Sequence, residues 1–195
     1  MCDSGAIYII DCRKIGSSFS SLFEMLNEEE KALIGKKIKR EDQELALAKF
    51  VLLHRLFDKP IQAQANGKPF LEGGPHFSIS HSYPYCVVYV SSYGCGVDIE
   101  VMQEGRGEFL TRYFLEEESD YGLSLLQRWN LKEAAYKAIG EGYFNPKECI
   151  ENLDEESFVF QGKKVYYHLL EWNGASFGVA NIKPMELPAI VETSI

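Results

Sequence analysis

The sequence has no long apolar run, no paired cysteines and no excess of basic residues. No segment approaches the roughly 20 apolar residues of a membrane-spanning helix, so we expect no membrane span. The five cysteines are odd in number and scattered, without a C-x-x-C pair. This argues against a zinc site or a disulfide framework and favours reduced thiols. The short apolar run at residues 6–10 lacks a basic leader, so we expect a cytoplasmic protein.

Acidic residues outnumber basic ones, 29 to 20, which gives a net charge of −9. Such a balance argues against general binding of nucleic acid through its phosphate backbone. An anionic ligand would therefore need a local basic pocket. One basic cluster, at Lys36, Lys37, Lys39 and Arg40, has two interpretations that stay open: a solvated helix end opposite residues 28–30, or a phosphate-binding patch.

Helical and strand periodicities alternate along the 195 residues, with no Gly/Ser linker between them. Helices are predicted at 17–30, 41–57, 106–121 and 123–140. Strands are predicted at 5–10, 77–80, 86–91, 96–101, 158–160, 165–170 and 177–181, with a turn at 66–69. A turn near Gly94 predicts that strands 86–91 and 96–101 form a hairpin. The order predicts an α+β fold of two similar halves that meet near residue 96.

Two carboxylates, Asp98 and Glu100, are two residues apart within a predicted strand, so they lie on one face of it. Hard carboxylate oxygens in such a pair suit a divalent cation. The ordinary alternative is a solvated polar face of an antiparallel strand. In either case Val97, Ile99 and Val101 form the buried face.

A second charged pair, Glu133 and Lys137, is four residues apart within a predicted helix and lies on one face of it. Together with the strand carboxylates, this pair predicts a site for a cation and a phosphate-bearing ligand. Alone, it is also what a solvated salt bridge looks like, which stabilises a helix by a few tenths of a kcal/mol.

Ser80 and His81 are adjacent in a predicted strand and so point to opposite faces, which makes them a poor nucleophile and base dyad. No G-x-S-x-G turn is present either. Hydrolase chemistry is therefore not favoured. Lys68, in a Gly67-Lys68-Pro69 turn, has the ordinary interpretation of an exposed lysine.

Four motifs occur in a fixed order: Gly67-Lys68-Pro69, Phe77-x-x-Ser80-His81-Ser82, Gly96-Val97-Asp98-Ile99-Glu100 and Trp129-x-x-Lys132-Glu133-Ala134-x-x-Lys137. This set resembles the 4′-phosphopantetheinyl transferases, in particular the larger type that activates non-ribosomal peptide synthetases and other carrier proteins. The resemblance covers roughly residues 36–142. Four motifs in register are more specific than any one of them.

The resemblance implies two pseudo-symmetric α+β halves, residues 1–96 and 97–195, with the active site in the cleft between them. It implies an enzyme that transfers the 4′-phosphopantetheine arm of coenzyme A to a serine of an apo acyl or peptidyl carrier protein. Two halves in one chain would allow a monomer, which we expect. Adenosine 3′,5′-bisphosphate would be the other product, and Mg²⁺ would be required.

The family's site residues map onto this sequence by motif position. Asp98, Glu100 and Glu133 correspond to metal ligands. Lys137 corresponds to a phosphate-binding lysine, and Lys68, Ser80 and His81 to residues that hold coenzyme A. Glu133, directly or through water, is also the candidate base for the acceptor serine. The set of catalytic residues is therefore Glu133 and Lys137.

Four positions depart from the family pattern, the mildest being Ser78, where asparagine is usual. Leu45 stands where an arginine often contributes to the site for the 3′-phosphate of coenzyme A, and Lys49, Lys39 or Arg40 could replace it. Tyr83 stands where glycine is common, and Glu141 where a basic residue is common.

Two alternative functions stay open. One is a degenerate protein that binds coenzyme A or carriers without turnover. The other is another Mg²⁺-dependent phosphotransferase or nucleotide hydrolase, although this sequence has no P-loop to favour it.

Overall fold

A computed structural model describes residues 5–65, 67–102, 110–112, 121–141 and 143–195. The described helices are α1 (Phe19–Glu24), α2 (Glu28–Gly35), α3 (Arg40–Leu56) and α4 (Leu125–Ile139). The strands are β1 (Ala6–Asp11), β2 (Gln62–Ala63), β3 (Pro69–Phe70), β4 (His76–Ser82), β5 (Tyr85–Ser91), β6 (Cys95–Val101), β7 (Ser157–Phe160), β8 (Lys163–Trp172), β9 (Ala175–Asn181) and β10 (Ala189–Glu192). The predicted α+β class is confirmed. Most of the predicted helix at 106–121, and Asn66 of the predicted turn, lie outside the described residues.

Two four-stranded sheets carry the fold, one ordered β10-β1-β5-β4 and the other β6-β9-β8-β7. The first sheet packs against α3 through Leu47, Ala48 and Leu52. The second packs against α4 through Leu131, Ala134 and Ala135. Both helices therefore bury the apolar stripes that their sequences predict.

The strand order is similar in the two sheets. In the first, β1 pairs antiparallel with β5, which pairs with β4. In the second, β6 pairs antiparallel with β9, which pairs with β8. In each sheet, an early strand of the chain (β1 or β6) pairs with the second strand of a later hairpin (β4–β5 or β8–β9). A helix, α3 or α4, precedes that hairpin in the sequence. This order is compatible with two pseudo-symmetric halves divided near residue 96, which stays a prediction.

The predicted hairpin of residues 86–91 and 96–101 is wrong. Both edges of β5 are occupied, by β1 and by β4, so β6 has no free edge there and crosses to the second sheet. The hairpin instead joins β4 to β5, through a turn with a cis peptide bond between Tyr83 and Pro84.

The single helix predicted at 17–30 is also wrong, because the chain forms α1 and α2 with a break between them. Asn27 causes the break. Its side chain accepts from the backbone N–H of Glu30 at 2.9 Å, and the Glu30 carboxylate accepts from the Asn27 N–H at 3.1 Å. This reciprocal capping box begins a new helix.

The described cysteines are free thiols, and Cys12, Cys86 and Cys95 are buried. Burial raises the pKa of Cys86 to about 12 and also raises that of Cys12, so both thiols stay protonated and unreactive at neutral pH. Of the helices that the structure describes, none has both the length and the apolar composition for crossing a bilayer.

Candidate functional site

Helix α4 lies unusually close to the second sheet because glycines face it. A Cβ at Gly96 of β6 would stand 1.9 Å from the carbonyl oxygen of Ala134, and one at Gly178 of β9 would stand 2.6 Å from that of Asn130. Either clash would involve backbone, which cannot move aside cheaply. The absence of these side chains brings Glu133 and Lys137 down beside Asp98 of β6.

Lys137 joins the helix to the strand. Its ammonium nitrogen lies 2.8 Å from Oδ1 of Asp98 and 3.3 Å from Oε2 of Glu133, and it donates to the carbonyl of Val97 at 3.1 Å. The Asp98 side chain is 6% exposed, and those of Glu133 and Lys137 are each 24% exposed. The interpretation of Asp98 as part of a solvated face is therefore wrong, and the Glu133–Lys137 pair is not a simple surface salt bridge.

The charge of Lys137 is stabilised by its two carboxylate partners. Burial works to lower the pKa of this ammonium group, but attraction to Asp98 and Glu133 outweighs it, and the net shift is upward. Lys137 is therefore protonated at neutral pH, and it holds the position between two carboxylates that a bound cation would also favour.

Of the three carboxylates predicted to hold a metal, the structure thus brings Asp98 and Glu133 to one ammonium group. Glu100 accepts a hydrogen bond from Ser82 at 3.1 Å. Within the described ranges, no three acidic, imidazole or thiol side chains converge closely enough to form a ready metal centre. The assignment of Asp98, Glu100 and Glu133 as metal ligands stays a prediction.

The residues nevertheless fit a divalent cation by their chemistry. Among the residues that the structure describes, none forms a hydrogen bond with the buried Oδ2 of Asp98, a costly arrangement unless another group contacts it. Carboxylate oxygens are the donors that Mg²⁺ prefers. Because the Lys137 ammonium lies between two of these carboxylates, a cation binding there would compete with it.

Ser80 and His81 point to opposite faces of β4, as predicted. The Ser80 hydroxyl donates to Oδ1 of Asp98 at 2.8 Å and is buried. The structure thus places Ser80 against a carboxylate; its predicted contact with coenzyme A stays a prediction. His81 lies on the wall of a cleft, with only part of its surface open to solvent.

This cleft, of about 1150 Å³, runs from the carboxylates to helices α2 and α3. At one end it is lined by Asp98, Glu100, Glu133 and Lys137, and further along by His81 and Lys49. Partial burial lowers the pKa of both His81 and Lys49, and the positive charge of Lys37 adds to the effect for each. The middle of the cleft therefore favours an anion, which would relieve both groups.

Two further lysines of the motifs have structural contacts. Lys68 donates to the carbonyl of Lys137 near the C-terminus of α4, where a cation is favourable, and burial lowers its pKa. It lines a smaller pocket of about 220 Å³ next to the cleft. Lys132 is fully buried and donates to the carbonyl of Pro146 at 3.0 Å, so it points away from the cleft.

The structure also places the positions that depart from the family pattern. Leu45 is buried in the core against the first sheet. The hydroxyl of Tyr83 donates to Glu44 at 3.3 Å, and Arg40 donates to the same glutamate at 2.9 Å. Arg40 also stacks on the ring of Phe19. Arg40 therefore has a structural role, and Lys49 is the candidate that lines the cleft.

Comparison with known proteins bears on the part of the chain that contains the carboxylates. Residues 94–173 match the model of the 4′-phosphopantetheinyl transferase superfamily. The match covers less than half of the chain. It includes β6 and α4, and thus the predicted metal ligands and Lys137, whereas Lys68, Ser80 and His81 lie outside the matched residues.

Two curated phosphopantetheinyl transferases are similar to part of the chain. The 4′-phosphopantetheinyl transferase gsp of Aneurinibacillus migulanus is 34% identical over 89 residues, which cover 41% of this chain and 38% of that protein. The 4′-phosphopantetheinyl transferase of Bacillus subtilis is 33% identical over 97 residues, 43% of this chain and 42% of that protein. The match thus spans about two fifths of the length of these relatives.

Proposed function

We propose that this protein transfers the 4′-phosphopantetheine arm of coenzyme A to a serine of an apo acyl or peptidyl carrier protein. One observation carries the proposal. The close packing of α4 on β6 brings Glu133 and Lys137 beside Asp98, at one end of a cleft that Glu100 also lines and that is large enough for an extended ligand. The superfamily match of residues 94–173 covers this arrangement.

Asp98, Glu100 and Glu133 would hold Mg²⁺, since their oxygens suit it and the buried Oδ2 of Asp98 has no other partner within the described part of the chain. When bound, Mg²⁺ neutralises charge on the pyrophosphate and polarises the reacting phosphorus. Lys137 would then exchange its contact with Asp98 for one with a phosphate oxygen, where a desolvated cation stabilises the charge of the transition state.

Glu133 would accept the proton of the carrier serine as the serine oxygen attacks the β-phosphorus of coenzyme A. The bond from that phosphorus to the bridging oxygen breaks, and adenosine 3′,5′-bisphosphate leaves with the bonding electron pair. Glu133 lies on the same cleft wall as Lys137, so acceptance of the proton and stabilisation of charge can occur together.

Lys49, His81 and Lys68 would bind the anionic parts of coenzyme A. Burial lowers the pKa of each, which means that it disfavours the charged form. The negative charge of a nearby phosphate would offset this cost. Lys49 takes the role that the resemblance gives to an arginine at position 45, since Leu45 is part of the core.

Three further parts of the proposal concern the whole protein. Residues 1–96 and 97–195 would form the two pseudo-symmetric halves, with the cleft between them. Two halves in one chain would complete the site within a monomer. The protein would act in the cytoplasm.

Incubation with coenzyme A, Mg²⁺ and several apo carrier proteins, followed by intact mass spectrometry of the carrier, tests the proposal. A phosphopantetheine adduct that depends on Mg²⁺ is the expected result. Glu171→Gln, on the exposed side of β8, serves as a matched control and should keep full activity.

A protein that binds coenzyme A without modifying any carrier is the second candidate. The observation that favours it is the burial of Leu45 in place of a phosphate-binding arginine. Calorimetric binding of coenzyme A with no adduct on any carrier would support this alternative. Nucleotide hydrolysis in the absence of a carrier would instead indicate another phosphotransferase or hydrolase.

A further inference from the structure

Three serines join the two sheets. Strands β4 and β6 are edge strands of different sheets, and Ser78, Ser80 and Ser82 occupy alternate positions of β4. Their hydroxyl oxygens accept from backbone N–H groups of β6, at 3.1 Å from Val97, 3.4 Å from Ile99 and 3.0 Å from Val101. Serine side chains thus occupy the places that carbonyls would take in a sheet ladder.

Two of these hydroxyls also contact the carboxylates of the site. Ser80 donates to Oδ1 of Asp98 at 2.8 Å, and Ser82 donates to Oε2 of Glu100 at 3.1 Å. Each serine therefore accepts from one residue of β6 and donates to the side chain of the residue before it. For Ser78 that preceding residue is Gly96, which has no side chain.

The backbone contact determines where the hydroxyl proton points. A serine hydroxyl has one proton to donate, and an N–H group directed at its oxygen disfavours orientations of the proton toward that group. The proton is thereby directed to the carboxylate. A carboxylate held in this way loses less rotamer freedom when it binds a cation, and its oxygens are already oriented.

We propose that Ser82 is a positioning residue for Glu100, and Ser80 for Asp98, in the binding of a divalent cation. The inference rests on the proposed function, because it gives those carboxylates the role of metal ligands. It differs from the prediction that Ser80 holds coenzyme A. Ser82 is the sharper test, since the only site side chain that its hydroxyl contacts, among the described residues, is Glu100.

The test measures binding of Mn²⁺, as a probe for the Mg²⁺ site, to the full chain by electron paramagnetic resonance without coenzyme A or carrier. Ser82→Ala should weaken Mn²⁺ binding about 10–100-fold, the usual effect of losing a partner of a metal ligand. Ser82→Thr, which keeps the hydroxyl, should restore binding. Ser78→Ala is the matched control: it loses a contact with β6 but none with a carboxylate, so its melting temperature should fall as that of Ser82→Ala does, with Mn²⁺ binding unchanged.

Equal weakening in Ser78→Ala and Ser82→Ala would overturn the inference, since it would show a structural role only. Wild-type binding in Ser82→Ala, or no Mn²⁺ binding by the wild-type protein, would overturn it as well. If Ser82→Ala does not fold, the isosteric pair Ser82→Thr and Ser82→Val isolates the hydroxyl. Because no turnover is measured, Mn²⁺ binding that depends on Ser82, together with no transfer to any carrier, would refute the proposed function alone.

Discussion

The ammonium nitrogen of Lys137 lies 2.8 Å from a carboxylate oxygen of Asp98 and thereby links helix α4 to strand β6. Glu133, one turn before Lys137 on the same helix, contacts the same ammonium group at 3.3 Å. A cation that belongs to the protein therefore balances two carboxylates of the proposed metal site. A divalent cation that binds these carboxylates would therefore compete with the Lys137 ammonium group.

Lys137→Met should destabilise the protein by about 3 kcal/mol in urea unfolding, because it leaves the buried Asp98 carboxylate without its cation. Mg²⁺ should then raise the melting temperature of the variant more than that of the wild-type protein, since it no longer competes with the ammonium group. Lys163→Met is the control. Lys163 forms an exposed pair with Glu141, at 2.7 Å, and its loss should cost less than about 1 kcal/mol. Equal effects of the two substitutions would contradict this account.

Gly96→Ala should lower the free energy of unfolding by about 3 kcal/mol and weaken coenzyme A binding. The added methyl group would meet the carbonyl of Ala134 and push α4 away from the carboxylates. Gly35→Ala, at the end of α2, should leave both properties close to wild type, because no atom of the described residues lies within 4 Å of its Cβ position. Urea unfolding and calorimetric titration measure the two effects. A Gly96→Ala protein with wild-type stability would show that the close approach is not required.

Some of this site could be predicted from the sequence, because its parts are local. The two-residue spacing of Asp98 and Glu100 and the four-residue spacing of Glu133 and Lys137 each place a pair on one face. The packing of α4 on β6 depends on contacts between distant segments, and no local pattern indicates it. The sequence showed Gly96 as part of a motif but did not indicate that α4 packs against it.

In the fold, too, local features could be predicted from the sequence, and features that depend on distant segments could not. Apolar periodicity predicted α3 and α4, whereas the pairing of β6 with β9 depends on which strand edges remain free. The break between α1 and α2 had a local signal, the Asn27-x-x-Glu30 capping box, which the periodicity of the surrounding apolar residues obscured. The alternate serines Ser78, Ser80 and Ser82 were also visible, but their partners lie on a strand of the other sheet.

His81 should respond to both pH and ligand. Because its pKa in the folded protein lies below the ordinary value of 6.5, the unfolded chain binds the proton first as pH falls. Neutral His81 therefore contributes to the free energy of unfolding above pH 6.5, and this contribution is lost as pH falls from 6.5 through the folded pKa. A bound phosphate favours the imidazolium form, so coenzyme A should raise the pKa of His81 and bind more tightly as pH falls.

Nuclear magnetic resonance titration of the histidine ring protons, with and without coenzyme A, measures this shift. His76, exposed at the start of β4, serves as the internal reference. His81→Gln should reduce the pH dependence of binding between about pH 5.5 and 7.5, roughly one unit on either side of the ordinary pKa. An unchanged His81 titration in saturating coenzyme A would exclude contact between this imidazole and a phosphate.

Lys49→Ala should raise the KM for coenzyme A about tenfold and change kcat little, as expected for the loss of one charge-assisted contact made equally in ground and transition states. Lys183→Ala removes an exposed lysine from the loop after β9 and should leave KM unchanged. Steady-state kinetics with a saturating carrier protein measures both values. A lower kcat with an unchanged KM would show that Lys49 does not contribute to the binding of coenzyme A in the ground state.

The most direct measurement is the rate at which Glu133→Gln forms holo carrier protein, followed by intact mass spectrometry and compared with wild type. Removal of one proposed metal ligand and the proposed base should slow transfer by at least about 100-fold, while the circular dichroism spectrum stays that of the folded protein. Glu171→Gln should retain the wild-type rate. A folded Glu133→Gln protein that transfers phosphopantetheine at the wild-type rate would show that this cluster of carboxylates is not the active site.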